Sequence, residues 1–154
     1  MAYEDNYDTM TGYLNKKAFE DSEIEGRFLG QFVGVMFADI NDLKKYHDYY
    51  GHRMSDLQIK KVALVIEEAT ECRGQYYRYG GDEFVVVLMG FTKEEFDRYM
   101  KRVDDARKIL EESGSVTFAV GGCFAESVKD IRSALQTAFE KMRADKERYH
   151  AEHQ

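Results

Sequence analysis

Proline is absent from this 154-residue chain, and cysteine occurs only at Cys72 and Cys123. Without proline, turns and helix ends must be marked by glycine and by capping side chains. Two isolated cysteines make no CxxC pair, which argues against a zinc site and a disulfide framework and for a reducing cytoplasmic compartment. No apolar run approaches the roughly 18 residues that a membrane span needs. The opening "MAYEDNYDTM" is acidic where a signal peptide is basic. An excess of positive charge is lacking too. The net charge of −7 argues against a nucleic-acid surface or contact with an anionic membrane. It leaves room for a small anionic ligand, because a divalent cation bridges carboxylates to phosphates.

What is present is the make-up of one folded domain. The chain is 44% hydrophobic and 14% aromatic, too apolar and too patterned for disorder, and long enough to bury a core without staples. Residues 1–154 therefore read as a single domain with no linker and no repeat. "FVGVMFADI" (32–40) is an almost continuous apolar run ending in Asp39, the pattern of a buried central strand. "NDLKKYHDYYGH" reads as a short helix closed by Gly51. A longer helix follows, with Ile59, Val62, Ala63 and Ile66 on one face.

Next, "QYYRY" and "EFVVVLM" flank Gly80-Gly81, the composition of a two-residue hairpin turn. Thr92 and Glu95 predict a capping box, with Phe91 and Phe96 at the positions of a hydrophobic staple. That helix should bury Phe96, Met100, Val103 and Leu110. "SVTFAVGGCFA" is a further strand, and Ile131, Leu135, Ala138 and Met142 mark the core stripe of a last helix. His150 and His153 fall on what reads as a solvated tail. Strands interleaved with helices around one hairpin predict an α/β sandwich whose central sheet is mostly antiparallel.

The stretch "RYGGDEF" (78–84) sets a glycine turn directly before two acids. Two readings are open: a solvated hairpin tip, or a turn made for close approach of an anionic ligand. If the hairpin lies beside the strand that ends at Asp39, then Asp39, Asp82 and Glu83 converge. Converging carboxylates raise one another's pKa unless a cation lies between them. A hard, oxygen-seeking ion such as Mg²⁺ would relieve that repulsion and carry a triphosphate, with the Ile40 carbonyl as a further ligand.

"RYGGDEF" resembles the signature of the GGDEF family, the diguanylate cyclases. The likeness extends along nearly the whole chain. "MTGYLNKKAF" (10–19) resembles that family's LTGLxNRRxF element, and "DINDLKKYHDYYGHRMSD" (39–56) its DxDxFKxxNDxxGHxxGD element. "VTFAVGG" (116–122) is similar to its late glycine-ended strand, and "AFEKMRADK" (138–146) to its closing helix. The resemblance implies a ferredoxin-like core similar to the palm of class III nucleotidyl cyclases. It implies a reaction that joins two GTP molecules into cyclic di-GMP and pyrophosphate.

By the same resemblance, Asp39, the Ile40 carbonyl and Asp82 hold Mg²⁺ or Mn²⁺. Asp82 is also the candidate general base, and Glu83 assists the metal site. Gly80 and Gly81 let the nucleotide approach where a Cβ would clash. Lys44 and Lys146 contact phosphates, and Asp56 accepts from the guanine edge. A homodimer is implied, since each domain presents one nucleotide. So is a sensory domain or protein partner, which the family usually carries, and these residues then form one part of a larger signalling protein.

The sequence departs from the family pattern at several positions. His47 stands where the family reads guanine with asparagine. An imidazole has one donor and one acceptor on opposite sides of its ring and cannot reproduce an amide's two-point pattern. Either His47 still contacts guanine with weakened affinity, or it is a half-exposed helix residue and the base is held otherwise. Asn41 replaces the second acid of the DxD pair, and Ser55 a glycine beside Asp56. Phe139 and Arg143 stand where the family has Asp and Tyr, and read as repacking on a helix. These changes keep a second reading open: a degenerate domain that binds a nucleotide or a protein and regulates. "ECRG" (71–74) keeps Arg73 but out of register with an RxxD motif, so no product-inhibition site is expected.

Overall fold

A computed structural model describes residues 4–153. A 3₁₀ turn at Glu4–Asn6 leads into β1 (Leu14–Asn15), α1 (Lys16–Ile24), β2 (Val33–Ile40), α2 (Leu43–Tyr50) and α3 (His52–Ala69). The hairpin β3 (Gln75–Arg78) and β4 (Glu83–Met89) follows, then α4 (Lys93–Glu112), β5 (Phe118–Ala125) and α5 (Ile131–Glu152). The element order matches the sequence reading except for β1, whose two residues are too few to carry a period.

The strands form one sheet in the order β1-β3-β4-β2-β5. β2 pairs antiparallel with β4 and β5, and β3 antiparallel with β4, while β1 runs parallel to β3. The sheet is therefore mixed, its one parallel pairing being the short β1. Alternation along β2 divides the core in two. Met36, Ala38 and Ile40 pack with Ile59, Val62, Ile66, Phe96 and Val103 of α3 and α4. Val33, Val35 and Phe37 pack with Phe19, Phe28, Leu135 and Met142 on the other side. A side chain two residues beyond Phe37 points to that second face. Asp39 thus emerges beneath α5.

The helix ends follow their sequence signals. Gly51, at φ 89°, closes α2 and donates its N–H to the His47 carbonyl at 2.7 Å. Thr92 and Glu95 form the reciprocal capping box of α4. Phe91 stacks on Tyr99, ring centroids 5.5 Å apart, so Tyr99 joins the buried face while Met100 is only half-buried. α5 continues past the expected tail. His150 lies inside the helix, and His153, at its C-cap, meets the Glu111 carboxylate at 2.8 Å. No helix among the described residues is long and apolar enough to cross a membrane.

α5 crosses β5 in backbone contact. A Cβ on Gly121 would run into the backbone of Ala138, Lys141 and Met142. One turn further on, the buried Asp145 carboxylate accepts the Val120 N–H at 3.0 Å and pairs with Arg107 and Arg148. Together these fix how deep α5 sits on the sheet. Gly121→Ala should therefore cost about 3 kcal/mol of unfolding free energy, the upper end of overpacking. Denaturant unfolding measures it, and an unchanged midpoint would sink the contact.

Candidate active site

The site is built where β2 ends and the β3–β4 turn comes alongside it. Asp39 on β2 lies opposite Glu83, the first residue of β4. Just beyond, the Ile40 N–H donates to the Asp82 carbonyl at 2.9 Å. The Asp39–Glu83 pairing and the Ile40–Asp82 bond set both acids of the turn beside the end of β2. The sheet register sets Asp39, Ile40, Asp82 and Glu83 side by side in the backbone at one rim.

Lys146 completes the cluster from α5. Its ammonium donates to Asp39 Oδ1 at 2.7 Å and to the Ile40 carbonyl at 3.2 Å. A cation thus bridges the carboxylate and the carbonyl that the sequence suggested as metal ligands. Burial pushes the Asp39 carboxyl above its ordinary value. Lys146 opposes that by its hydrogen bond and charge, while Asp82 adds to it. Burial likewise raises Glu83, helped by the charges of Asp39 and Asp82.

These oxygens suit a hard divalent ion, and the ammonium marks where positive charge is favoured. Among the described residues no group of three or more His, Cys, Asp or Glu side chains is placed to hold a metal by itself. A pair of carboxylates and one carbonyl is the partial shell typical of Mg²⁺, whose remaining positions go to phosphates and water.

The turn departs from the expected geometry. Strands end at Arg78 and resume at Glu83, so the connection is four residues, and neither glycine has positive φ. Tyr79 N–H donates to the Glu83 carbonyl at 2.8 Å, and Glu83 N–H to the Gly80 carbonyl at 3.4 Å. A type I′ turn needs positive φ at both central residues, and this wider loop does not. A Cβ on Gly80 would strike the Glu83 carboxylate, whereas one on Gly81 would meet nothing within 4 Å. Gly80 therefore makes room for Glu83, and Gly81 leaves an open face.

Sequence reasoning missed Arg78, which donates to the Gly81 carbonyl at 2.7 Å and pairs with Asp8 at 3.1 Å. It ties the turn to the N-terminal segment. Its position four residues before Asp82 is the one signal that could have found it.

The remaining phosphate and base candidates sit on α2 and α3. Lys44 is exposed on α2, and Asp56 is half-buried on α3. His47 Nε2 and His52 Nδ1 share a hydrogen bond of 2.7 Å, with the rings nearly perpendicular. One of these nitrogens must donate and the other accept, so His47 is half-exposed with half its hydrogen-bonding capacity already taken. Asn41 and Ser55 are buried, each with a side-chain oxygen that has no hydrogen-bond partner. Ser55 belongs to the buried face of α3.

A cleft of about 400 Å³ opens beside the cluster, and its lining includes Asp39, Glu83, Phe139, Arg143, Lys146 and His150. Phe139 is repacked as expected, edge-on to Phe37 with ring centroids 5.2 Å apart. Arg143 is exposed at the cleft, with its guanidinium over the Phe139 ring. Arg73 donates to the Tyr99 hydroxyl at 2.9 Å and lies over the Phe91 ring, a packing role.

The model of the family described as "Diguanylate cyclase, GGDEF domain" matches residues 5–151. The chain belongs to the GGDEF family. An uncharacterized membrane protein of Staphylococcus saprophyticus is 28% identical over 150 residues, covering 88% of this GGDEF chain and 41% of that protein. Diguanylate cyclase DosC of Escherichia coli is 24% identical over 156 residues, covering 95% of this chain and 34% of DosC. The chain thus spans well under half the length of these two relatives. Among solved structures, the coiled coil and GGDEF domain of DgcB from Caulobacter crescentus, in complex with c-di-GMP, has a TM-score of 0.77 at 21% identity. That match covers 95% of this chain and 83% of that one. The likeness supports the mixed α/β architecture.

The raised carboxylates predict a pH signature. An acid whose pKa is raised on folding favours the folded state below its unfolded pKa, near 4.5 for Glu83. That contribution is lost as pH rises through the folded value. Glu83→Gln should accordingly raise the thermal midpoint at pH 7 with chelator present, the gain vanishing below pH ~4 where both forms are neutral. A midpoint that falls at pH 7 would contradict the crowded-acid description.

Proposed function

We propose that this domain condenses two GTP molecules into cyclic di-GMP with release of pyrophosphate. It does so in the cytoplasm, with Mg²⁺ or Mn²⁺, when two copies face each other. The observation that carries the reading is Asp39 paired with Glu83 and adjoined by Asp82 through the Ile40 backbone bond, with the Lys146 ammonium bridging Asp39 and the Ile40 carbonyl.

Asp39, the Ile40 carbonyl and Asp82 are the residues that would hold the ion. When bound, it supplies charge neutralisation for the triphosphate. Phosphoryl transfer depends on positioning and charge stabilisation more than on covalent help. Asp82 takes the proton of the attacking 3′-hydroxyl, and Glu83 keeps the acid cluster in place from the neighbouring strand. Lys146 exchanges its carboxylate partner for a phosphate oxygen as substrate arrives, and Lys44 contacts the phosphates from α2. Asp56 accepts from the guanine edge, with His47 beside it. The open side of Gly81, and the slimness of Gly80, leave the turn clear for the nucleotide. One domain offers one such set, so bond formation needs a second copy. A sensory domain or protein partner bringing the copies together fits a chain that spans under half of its relatives' length.

The His47–His52 bond favours a second reading, a degenerate domain that binds nucleotide weakly and regulates. Losing a matched hydrogen bond to guanine costs about 1–3 kcal/mol. His47→Asn should then tighten GTP about tenfold in calorimetry. An unchanged affinity would show that the imidazole is tolerated and remove the motive for the degenerate reading.

The test of catalysis is a fusion that holds two copies together, incubated with GTP and Mg²⁺. Cyclic di-GMP should form, and Asp82→Asn should cut the rate by at least about a hundredfold, as loss of a general base does. If the tethered wild type makes no product, the cyclase reading fails.

A further inference from the structure

Every basic side chain on α5 but one is engaged. Arg132 pairs with Glu23, Lys141 donates to the Gly122 carbonyl, Lys146 holds Asp39, and Arg148 pairs with Asp145. His150 faces Asp42 at 3.9 Å, and His153 meets Glu111. Arg143 alone has no carboxylate or hydrogen-bond acceptor among the described residues. Its guanidinium lies over the ring of Phe139, 5.9 Å from the centroid. That ring is fixed in turn against Phe37 of β2.

Arg143 also lines the cleft that holds Asp39, Glu83 and Lys146. It precedes Lys146 by three residues, so the two share a helix face, about 4.5 Å apart along the axis. The Lys146 charge is already matched by Asp39, which leaves the guanidinium as the cleft's uncommitted cation. Its five N–H donors form a planar fork suited to two phosphate oxygens at once. The residue is exposed, so packing of the core does not require an arginine here.

We propose that Arg143 is a phosphate-binding residue that holds the pyrophosphate end of a nucleoside triphosphate. This rests on the reading of the cleft as a triphosphate site, and it adds a ligand contact from a position that the sequence assigned to repacking. Lys146 and Arg143 would then divide the triphosphate between them, Lys146 next to the carboxylates and Arg143 one turn towards the N-terminus of α5.

The test is calorimetric titration with inorganic tripolyphosphate in the presence of Mg²⁺, alongside GTP with Mg²⁺, on wild type, Arg143→Ala and Arg143→Lys. Arg143→Ala should weaken both ligands by at least about tenfold, the range expected for losing charge-assisted hydrogen bonds. Its thermal midpoint should stay unchanged. Arg143→Lys should recover only part of the loss, because an ammonium cannot grip two oxygens in one plane. Wild-type binding equalled by Arg143→Ala overturns the assignment and leaves the triphosphate reading standing. Failure of the wild type to bind either ligand overturns both.

Discussion

The Lys146 ammonium between the Asp39 carboxylate and the Ile40 carbonyl joins the last helix to the central strand at the point where the chemistry would occur. Its placement is decided away from the site. Gly121 lets the α5 backbone lie directly on β5, and the Asp145 carboxylate takes the neighbouring Val120 N–H together with two guanidiniums. A helix seated a methyl group higher would carry Lys146 away from Asp39. The acid cluster would then keep its mutual repulsion with no counter-ion. A single close backbone approach on an edge strand therefore governs the electrostatics at the rim.

That rim is costly to the fold. Burial raises both Asp39 and Glu83, and their neighbours' charges add to the effect. A domain selected for stability alone would place amides or apolar residues there. Three acids at one rim, with Lys146 bonded to one of them, leave negative charge that a divalent ion would balance. Under the proposed reading, the same displacement that brings in the ion frees Lys146 for the triphosphate. The lysine then serves first as a stand-in and later as a ligand.

Much of this was legible in the residues. The apolar run of β2 with Asp39 at its end, the Thr92–Glu95 box and the stripe of α5 each carry a local physical signal, and each folds as that signal says. The GGDEF resemblance supplied the long-range pairing that local patterns lack. What escaped notice was set by tertiary contact. β1 has two residues and no period. The four-residue turn was misread because Gly-Gly suits a tighter hairpin, whereas Gly80 is small to clear Glu83. Arg78 looked like an ordinary strand residue until its guanidinium met Gly81 and Asp8. His150 and His153 looked like a tail because the end of a helix cannot be read from composition when α4 clasps it through Glu111.

The candidate chemistry and the candidate base recognition sit on different elements. Asp39, Asp82, Glu83 and Lys146 are fixed by the sheet register and by α5, while His47 and Asp56 ride on the α2–α3 pair, where α2 buries no residue at all. An exposed short helix tolerates substitution far better than a central strand. His47, which departs from the family pattern, bonds His52 across the Gly51 turn there. Under the proposed reading, a change there would alter how firmly a base is held while the acids and Lys146 stay in register. On that reading the acids bear on the reaction and His47 on the choice of substrate.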